Sequence, residues 1–305
     1  MDFKQFEYVL MVAEEKNFSK AAKKLYISQP SLSQFIGRVE ANLGVTLFNR
    51  NSNPLSLTYE GQLYVETAKK IMLLSNEMTR AFDDVKNLKQ GSINIGITPS
   101  KANHPLPMIL PVYKKQYPNI KIFITEASSP ELEQMIINGS VDISIMNLPI
   151  ASDQIAYEPI VDERIFIAAP PNQNILPEKQ FETIDIHTLK DELFILLHPG
   201  MRLRQITDKL FNEAGIKPNI LLETKSIDTS IRITAAGLGY TFAPESTALY
   251  SGLENLPKYY VVADPPLKWT LAIAYKADSY ISKAAQAFSE VVKNVYKEVY
   301  PSLKC

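Results

Sequence analysis

From residue 59 to residue 89 the chain carries one helical pattern without a proline, in a sequence of 305 residues that holds 20 of them. Tyr64, Ala68, Ile71, Ser75, Met78, Phe82 and Val85 recur at alternating spacings of four and three. That is the period of a heptad seam, with Ala68 and Ser75 as its weak members. A helix of about 30 residues spans about 45 Å, more than a small domain needs. It either packs on its own domain or pairs with a second copy of the chain, and its length and spacing favour pairing. In both cases it divides the chain into residues 1–58, the helix itself at 59–89, and a large remainder from 91 to 305.

The segment "KQGSINIGITPS" ends the helix, and the pattern then changes. Apolar, β-branched runs at 92–97, 120–126, 141–147, 164–169, 194–197, 220–224 and 271–275 read as strands. Helical patterns at 106–116, 130–138, 203–214 and 229–236 fall between several of them, and 280–300 closes the chain as an amphipathic helix. Strand and helix in alternation predict a parallel α/β sheet. Roughly 210 residues suffice for two such lobes.

The first 58 residues are mostly helical in pattern. Ser19 is the expected cap of a helix from Lys20 to about Leu25, and Ser28 the cap of the next, with Pro30 in its first turn. On a helical wheel Leu32, Ile36, Val39 and Leu43 form an apolar side. Pro30, Gln34, Gly37 and Ala41 lie opposite, flanked by Ser33 and Arg38. A solvated face would carry Lys or Glu there; small and polar groups let the helix approach another surface. Two short helices with a tight joint describe a helix-turn-helix, whose second helix enters a DNA major groove. A plain packed hairpin has the same pattern. Seven Lys or Arg against five Asp or Glu in residues 1–58 is too small a surplus to decide between them. "NPLSLT" at 53–58 reads as a short extended segment after a turn.

Composition excludes more than it assigns. A net charge of −1 gives no whole-chain signal for nucleic acid, membrane or acidic substrates. The single cysteine, Cys305, permits neither an intrachain disulfide nor a cysteine metal site, which fits a reducing compartment. The N-terminal pattern is broken by charges, so neither a secretory signal nor a membrane span is expected, and a cytoplasmic location is. His104, His187 and His198 share no metal spacing, and no GxSxG, Walker loop or dinucleotide fingerprint is present. "GLGYTFAP" contains a GxG but follows a helix and precedes a strand, the reverse of that fingerprint. No enzyme activity and no cofactor are expected.

"FSKAAKKLYISQPSLSQFIGRVEANLGVTLFNR" followed by "LSLTYEGQ" resembles the N-terminal domain of LysR-type transcriptional regulators. Phe18-Ser19, Ala21-Ala22, Ser28-Gln29-Pro30-Ser31, Glu40, Leu43-Gly44, Leu47-Phe48, Arg50, Leu57-Thr58 and Gly61 carry the likeness, and "AAGLGYTFAP" at 235–244 adds to it. The resemblance implies an all-α winged helix-turn-helix, a dimerising linker helix, and a two-lobed α/β effector domain similar to periplasmic binding proteins. The lobes are then expected at about 91–161 with 268–305, and at about 162–267. The implied partners are an operator duplex, a small-molecule effector and the chain itself, as a dimer and then a tetramer.

By the same resemblance, Gln29, Pro30, Ser33 and Gln34 are the expected base contacts, since Gln pairs bidentately with adenine and Ser with several base edges. Arg38, Arg50 and Thr58 are expected on phosphates, with Ser31 near the helix start. Arg38 serves equally as a solvated charge, and Thr58 as a cap of the linker helix. The family often has basic residues where Gln34 and Gly37 stand and an arginine where Asn53 stands, so weaker non-specific DNA affinity is expected.

The expected effector site is the interlobe cleft. Thr98, Ser100 and Lys101 follow the first strand; Asn147 ends another; Gly200, Met201 and Arg202 lie in "LHPGMRLR"; Ile227 follows "LLETKS". The family often has a small residue where Arg202 stands. Lys101 and Arg202 together predict a small organic anion, unless both point into solvent. Asp228 is expected to cap the next helix. An effector-independent architectural DNA-binding protein and a repurposed solute-binding module are the competing readings. The first leaves two lobes unexplained; the second has no use for residues 1–90.

Overall fold

The computed structural model describes residues 2–85, 91–250, 257–262 and 266–299, and the chain falls into two compact units, Met1–Phe82 and Asp83–Cys305.

The first unit opens with α1 (Phe3–Glu15), α2 (Phe18–Lys24) and α3 (Gln29–Leu43). Asn17, not Ser19, caps α2: its side chain accepts from the Lys20 amide at 3.0 Å, and the helix starts earlier than expected. Ser28 caps α3 with Pro30 in the first turn, and Gly44, at φ 70°, closes it. Val9, Val12, Ala21, Leu32, Ile36 and Val39 are buried between the three helices, whereas Leu43 is 39% exposed at the helix end. The wing is a two-stranded antiparallel ribbon of β1 (Phe48–Asn49) and β2 (Ser56–Leu57). Next comes α4 (Tyr59–Val85). Its first turn lies so close to the wing that a Cβ on Gly61 would stand 2.0 Å from the Leu47 carbonyl oxygen, so only glycine fits.

The second unit contains, in order, β3 (Gly91–Ile97), α5 (Pro99–Asn103), α6 (Leu106–Gln116), β4 (Ile120–Glu126), α7 (Ser129–Ile137), β5 (Ile143–Asn147) and β6 (Ile155–Ala169). A 3-10 turn at Ile186–Leu189 precedes β7 (Leu193–Leu197), α8 (Arg202–Glu213), β8 (Asn219–Thr224), α9 (Ile227–Ala235) and β9 (Thr241–Pro244). The described chain closes with α10 (Glu245–Tyr250), β10 (Lys258–Val261), β11 (Lys268–Lys276) and α11 (Lys283–Val299).

The main sheet is mixed, not parallel as expected. β3 pairs in parallel with β4 and β5, as βαβ crossovers require. β6, β9, β10 and β11 pair antiparallel. The 15-residue β6 is the reason. Its first part pairs with β11; its second part pairs with β9 on one edge and β10 on the other. One strand therefore runs from the first lobe into the second. The sequence hides its first half because Pro159 and charged residues interrupt the apolar pattern. The structure accommodates them with a register shift opposite Leu271 and Ala272, where Ile160 is skipped. Each lobe has its own apolar core, one around Ile95, Ile143 and Phe288, the other around Phe194, Phe211 and Phe242.

Candidate nucleic-acid interface and effector cleft

On α3, Gln29, Pro30, Ser31, Gln34 and Arg38 are exposed or half-buried, and Ser33 is half-buried. The Arg38 guanidinium lies 6.0 Å from the Phe35 ring. A Cβ on Gly37 would meet nothing within 4 Å, so no contact inside the chain calls for a glycine there. The polar, small-residue face turns outward, opposite the buried side formed by Leu32, Ile36 and Val39.

Arg50 and Thr58 each have partners inside the chain. The buried Glu40 carboxylate accepts the Leu47 amide at 2.8 Å and the Phe48 amide at 3.3 Å, which anchors the start of the wing to α3. Arg50 pairs with the other carboxylate oxygen at 2.8 Å, donates to Ser33 Oγ at 3.3 Å, and lies over the Phe18 ring. The charge of a buried Glu40 needs this partner. Arg50 still keeps part of its side chain in solvent. Thr58 donates to the Thr46 carbonyl at 2.6 Å and accepts from the Gly61 amide at 2.9 Å, so it caps α4. Ser31 Oγ shares a 2.7 Å hydrogen bond with Ser28 Oγ at the start of α3.

The expected seam on α4 divides. Tyr64 and Ala68 turn to their own unit: Ala68 is buried, and the Tyr64 ring packs against Phe6. Ile71 and Ser75 are half-buried or exposed, and Met78 and Phe82 are exposed. Leu63 and Leu74, outside the expected seam, are 59% and 63% exposed. The side chain of Val85 lies outside the described residues.

In the second unit a cleft of about 500 Å3 opens between the lobes. From the first lobe it is lined by Thr98, Ser100, Ser128 and Asn147; from the second by Gly200, Met201, Arg202 and Ile227. Every expected effector residue lies on this wall except Lys101. Its side chain is 1% exposed and pairs with Glu163 at 2.6 Å, with Ser246 Oγ at 3.2 Å and the Trp269 ring beside it. An α5 of only five residues turns the lysine inward from the edge its neighbours occupy. Burial opposes ionisation of Glu163, yet Lys101 and the Ser246 donors outweigh it and hold the carboxyl below its ordinary value. The indole nitrogen of Trp269 donates to the same carboxylate at 2.7 Å.

Arg202 does reach the cleft. Its Nη2 donates to Glu133 of α7 at 2.5 Å, across the gap between the lobes. A second bridge joins Asp228 to His104 at 2.7 Å and to Asn103 at 2.8 Å. Burial disfavours the Asp228 charge, but these donors and nearby Arg232 more than compensate, so its carboxyl sits below the usual range. Ser226, not Asp228, caps α9, because Asp228 is drawn across to the other lobe. Beneath the cleft, Arg204 ties the start of α8 to the Leu197 carbonyl and to Glu223. Glu133 and Glu163 carry no signal in the sequence because their partners lie on distant segments, whereas Arg204 also pairs with Asp208 at 2.6 Å, four residues on along α8, a spacing the sequence does show. Among the described residues no group of three His, Cys, Asp or Glu could hold a metal, and no helix is long and apolar enough to cross a membrane. Cys305 lies outside the described residues.

A recognition helix with an outward polar face and a cleft between two lobes define a DNA-binding regulator that answers to a small molecule. Residues 3–62 match the bacterial regulatory helix-turn-helix protein family of lysR type, and residues 86–297 match the LysR substrate binding domain. The chain belongs to the LysR family of transcriptional regulators. It is 30% identical to the uncharacterized HTH-type transcriptional regulator YcgK of Bacillus subtilis, over 98% of this chain and 96% of that one. Among solved structures it resembles a full-length OxyR variant from Pseudomonas aeruginosa at a TM-score of 0.73 and 23% identity, covering 96% of this chain and 95% of that one. It also resembles full-length CbnR complexed with its target DNA, at a TM-score of 0.67 and 22% identity over 97% and 100% of the two chains. These two likenesses are of fold.

Proposed function

We propose that this regulator reads its operator with Gln29, Pro30, Ser33 and Gln34 of α3, flanked by Arg38 on a phosphate, and that its effector occupies the interlobe cleft. Arg50 contributes from the side, as a partly exposed guanidinium that also fixes the wing. The domains on this reading are a winged helix-turn-helix at 1–58, a linker helix at 59–89 and the effector domain from 91. Two copies associate through the apolar residues left exposed on α4, so two recognition helices address half-sites in successive major grooves of a roughly palindromic operator. Effector binding favours one state of the lobes and changes how the dimers are arranged, without any new base contact. The chain acts in the cytoplasm, beside its DNA, and has no catalytic step. A thiol–disulfide switch within one chain needs two cysteines, and this chain has one.

The observation that carries the reading is Gly37, a helix position facing open space that no internal contact requires to be small. Its test is selection of bound duplexes from a random-sequence library by the full chain. Enrichment of a two-fold symmetric site is expected, with the enrichment weakened for Gln34→Ala. Recovery of unrelated sequences, or equal enrichment by the variant, would sink the assignment.

A further inference from the structure

Three residues that line the cleft each hold a buried polar atom with no hydrogen-bond partner among the described residues: Thr98 Oγ1, Asn147 Nδ2 and Arg202 Nη1. Each is a donor or can act as one. A buried donor without an acceptor costs about 1–3 kcal/mol, so three beside one cavity call for an acceptor. Arg202 is the most telling. Glu133 holds Nη2, while Nη1 is unused. Burial, only partly offset by Glu133, holds the guanidinium below its ordinary pKa, as for a cation short of acceptors.

We infer that the effector is a small, singly charged carboxylic acid, whose carboxylate takes the free Nη1 of Arg202 and the Asn147 amide while Glu133 keeps Nη2. This rests on the cleft being the effector site. One guanidinium can serve two carboxylates through different edges, since its donors form a planar fork. The remaining charges limit the ligand to a single negative charge. Glu131 and Asp228 line the same cavity, and among the described residues Lys225 is the only other Lys or Arg on the wall. A phosphate or sulfate dianion would meet those carboxylates in a poorly screened space. Leu197, Met201, Ile227 and Trp269 complete the wall, so the acid carries an apolar body. Arg202 is then both the tie between the lobes and the anchor of the ligand, and the acid binds best when the lobes are closed. Glu133 is a positioning residue that tunes how much of the guanidinium's charge the ligand feels.

The test is calorimetry on the full chain with a panel of aliphatic and aromatic monocarboxylates, each beside its neutral carboxamide, up to millimolar concentration. The readout is the preference for acid over amide. At least one acid should bind about tenfold or more tighter than its amide. That preference should collapse in Arg202→Gln and rise several-fold in Glu133→Gln, which removes a competing negative charge and keeps the shape. A purely structural tie would change acid and amide alike. Amides binding as well as acids, a preference that survives Arg202→Gln, or no acid binding at all would each overturn the inference. A neutral compound that binds and alters the operator complex would overturn it too, yet leave the cleft reading standing. Acids bound equally by the parent and by Ser100→Trp, which fills the cavity, would overturn the cleft reading itself.

Discussion

Arg50 shows how one residue can serve two ends. Its guanidinium neutralises Glu40, whose carboxylate clamps the wing amides of Leu47 and Phe48, and it also touches Ser33 on the reading helix. Arg50→Ala should therefore cost about 1.5–3 kcal/mol of stability, the range for hydrogen bonds to charged groups, and weaken binding to specific and random duplexes alike. Gln34→Ala, on the outward face, should leave stability within about 0.5 kcal/mol and reduce discrimination by about 1–3 kcal/mol. Thermal melts beside binding to matched and random duplexes separate the two. Equal effects of both variants on stability would contradict these contacts. The outward face of Pro30, Gln34 and Gly37, flanked by Arg38, was legible from helical spacing. The inward turn of Lys101 was not, because nothing near it in sequence announces Glu163, 62 positions away. Charge type could be read; its direction depended on a partner in another strand.

The linker helix carries the same lesson at the scale of an element. Its start, its unbroken run and its period were legible, since the absence of proline and the heptad spacing are local properties; the expected end at 86–89 lies outside the described residues. Its phase was not. Tyr64 and Ala68 satisfy the period, yet their own unit buries or covers them, while Leu63 and Leu74 remain outside. Competition between an internal core and a second chain for one helix face cannot be resolved from spacing alone. Leu74→Lys and Met78→Lys, both exposed within one chain, should change the melting of the isolated protomer little. They should weaken self-association, because pairing would bury an unpaired ammonium. Sedimentation across a concentration series checks this; parent and variants with the same association constant would rule out the exposed face as the interface. β6 makes a related point. Its second half reads as a strand, but its first half is held by pairing with β11 despite Pro159, a tertiary constraint that overrides local preference.

At the scale of the whole molecule, the buried Lys101–Glu163 pair makes stability depend on pH in a definite direction. The Glu163 carboxyl is lowered in the folded chain, against burial, by Lys101 and the Ser246 donors. Its contribution is therefore complete above the unfolded carboxyl value and is lost as pH falls through the folded value. Asp228 acts in the same sense through His104 and Asn103. Denaturant midpoints followed from neutral into acid should fall more steeply for the parent than for Glu163→Gln. Lys101→Met, which strands the glutamate, should cost about 3–5 kcal/mol near neutrality. Parallel pH profiles for parent and Glu163→Gln would contradict that assignment. An α/β second unit was legible from alternating strand and helix patterns, and its two lobes from the number of residues and the family resemblance, whereas the continuous strand linking the lobes was not. That strand restricts the motion available to an effector. Because β6 is stitched into the sheet pairing of both lobes, the lobes share a torsion bar instead of a slack tether. They can twist about it, but cannot slide apart without stripping ladder hydrogen bonds. On the function proposed above, a ligand closing the cleft would be registered as an angle between the lobes, about an axis the backbone has already chosen.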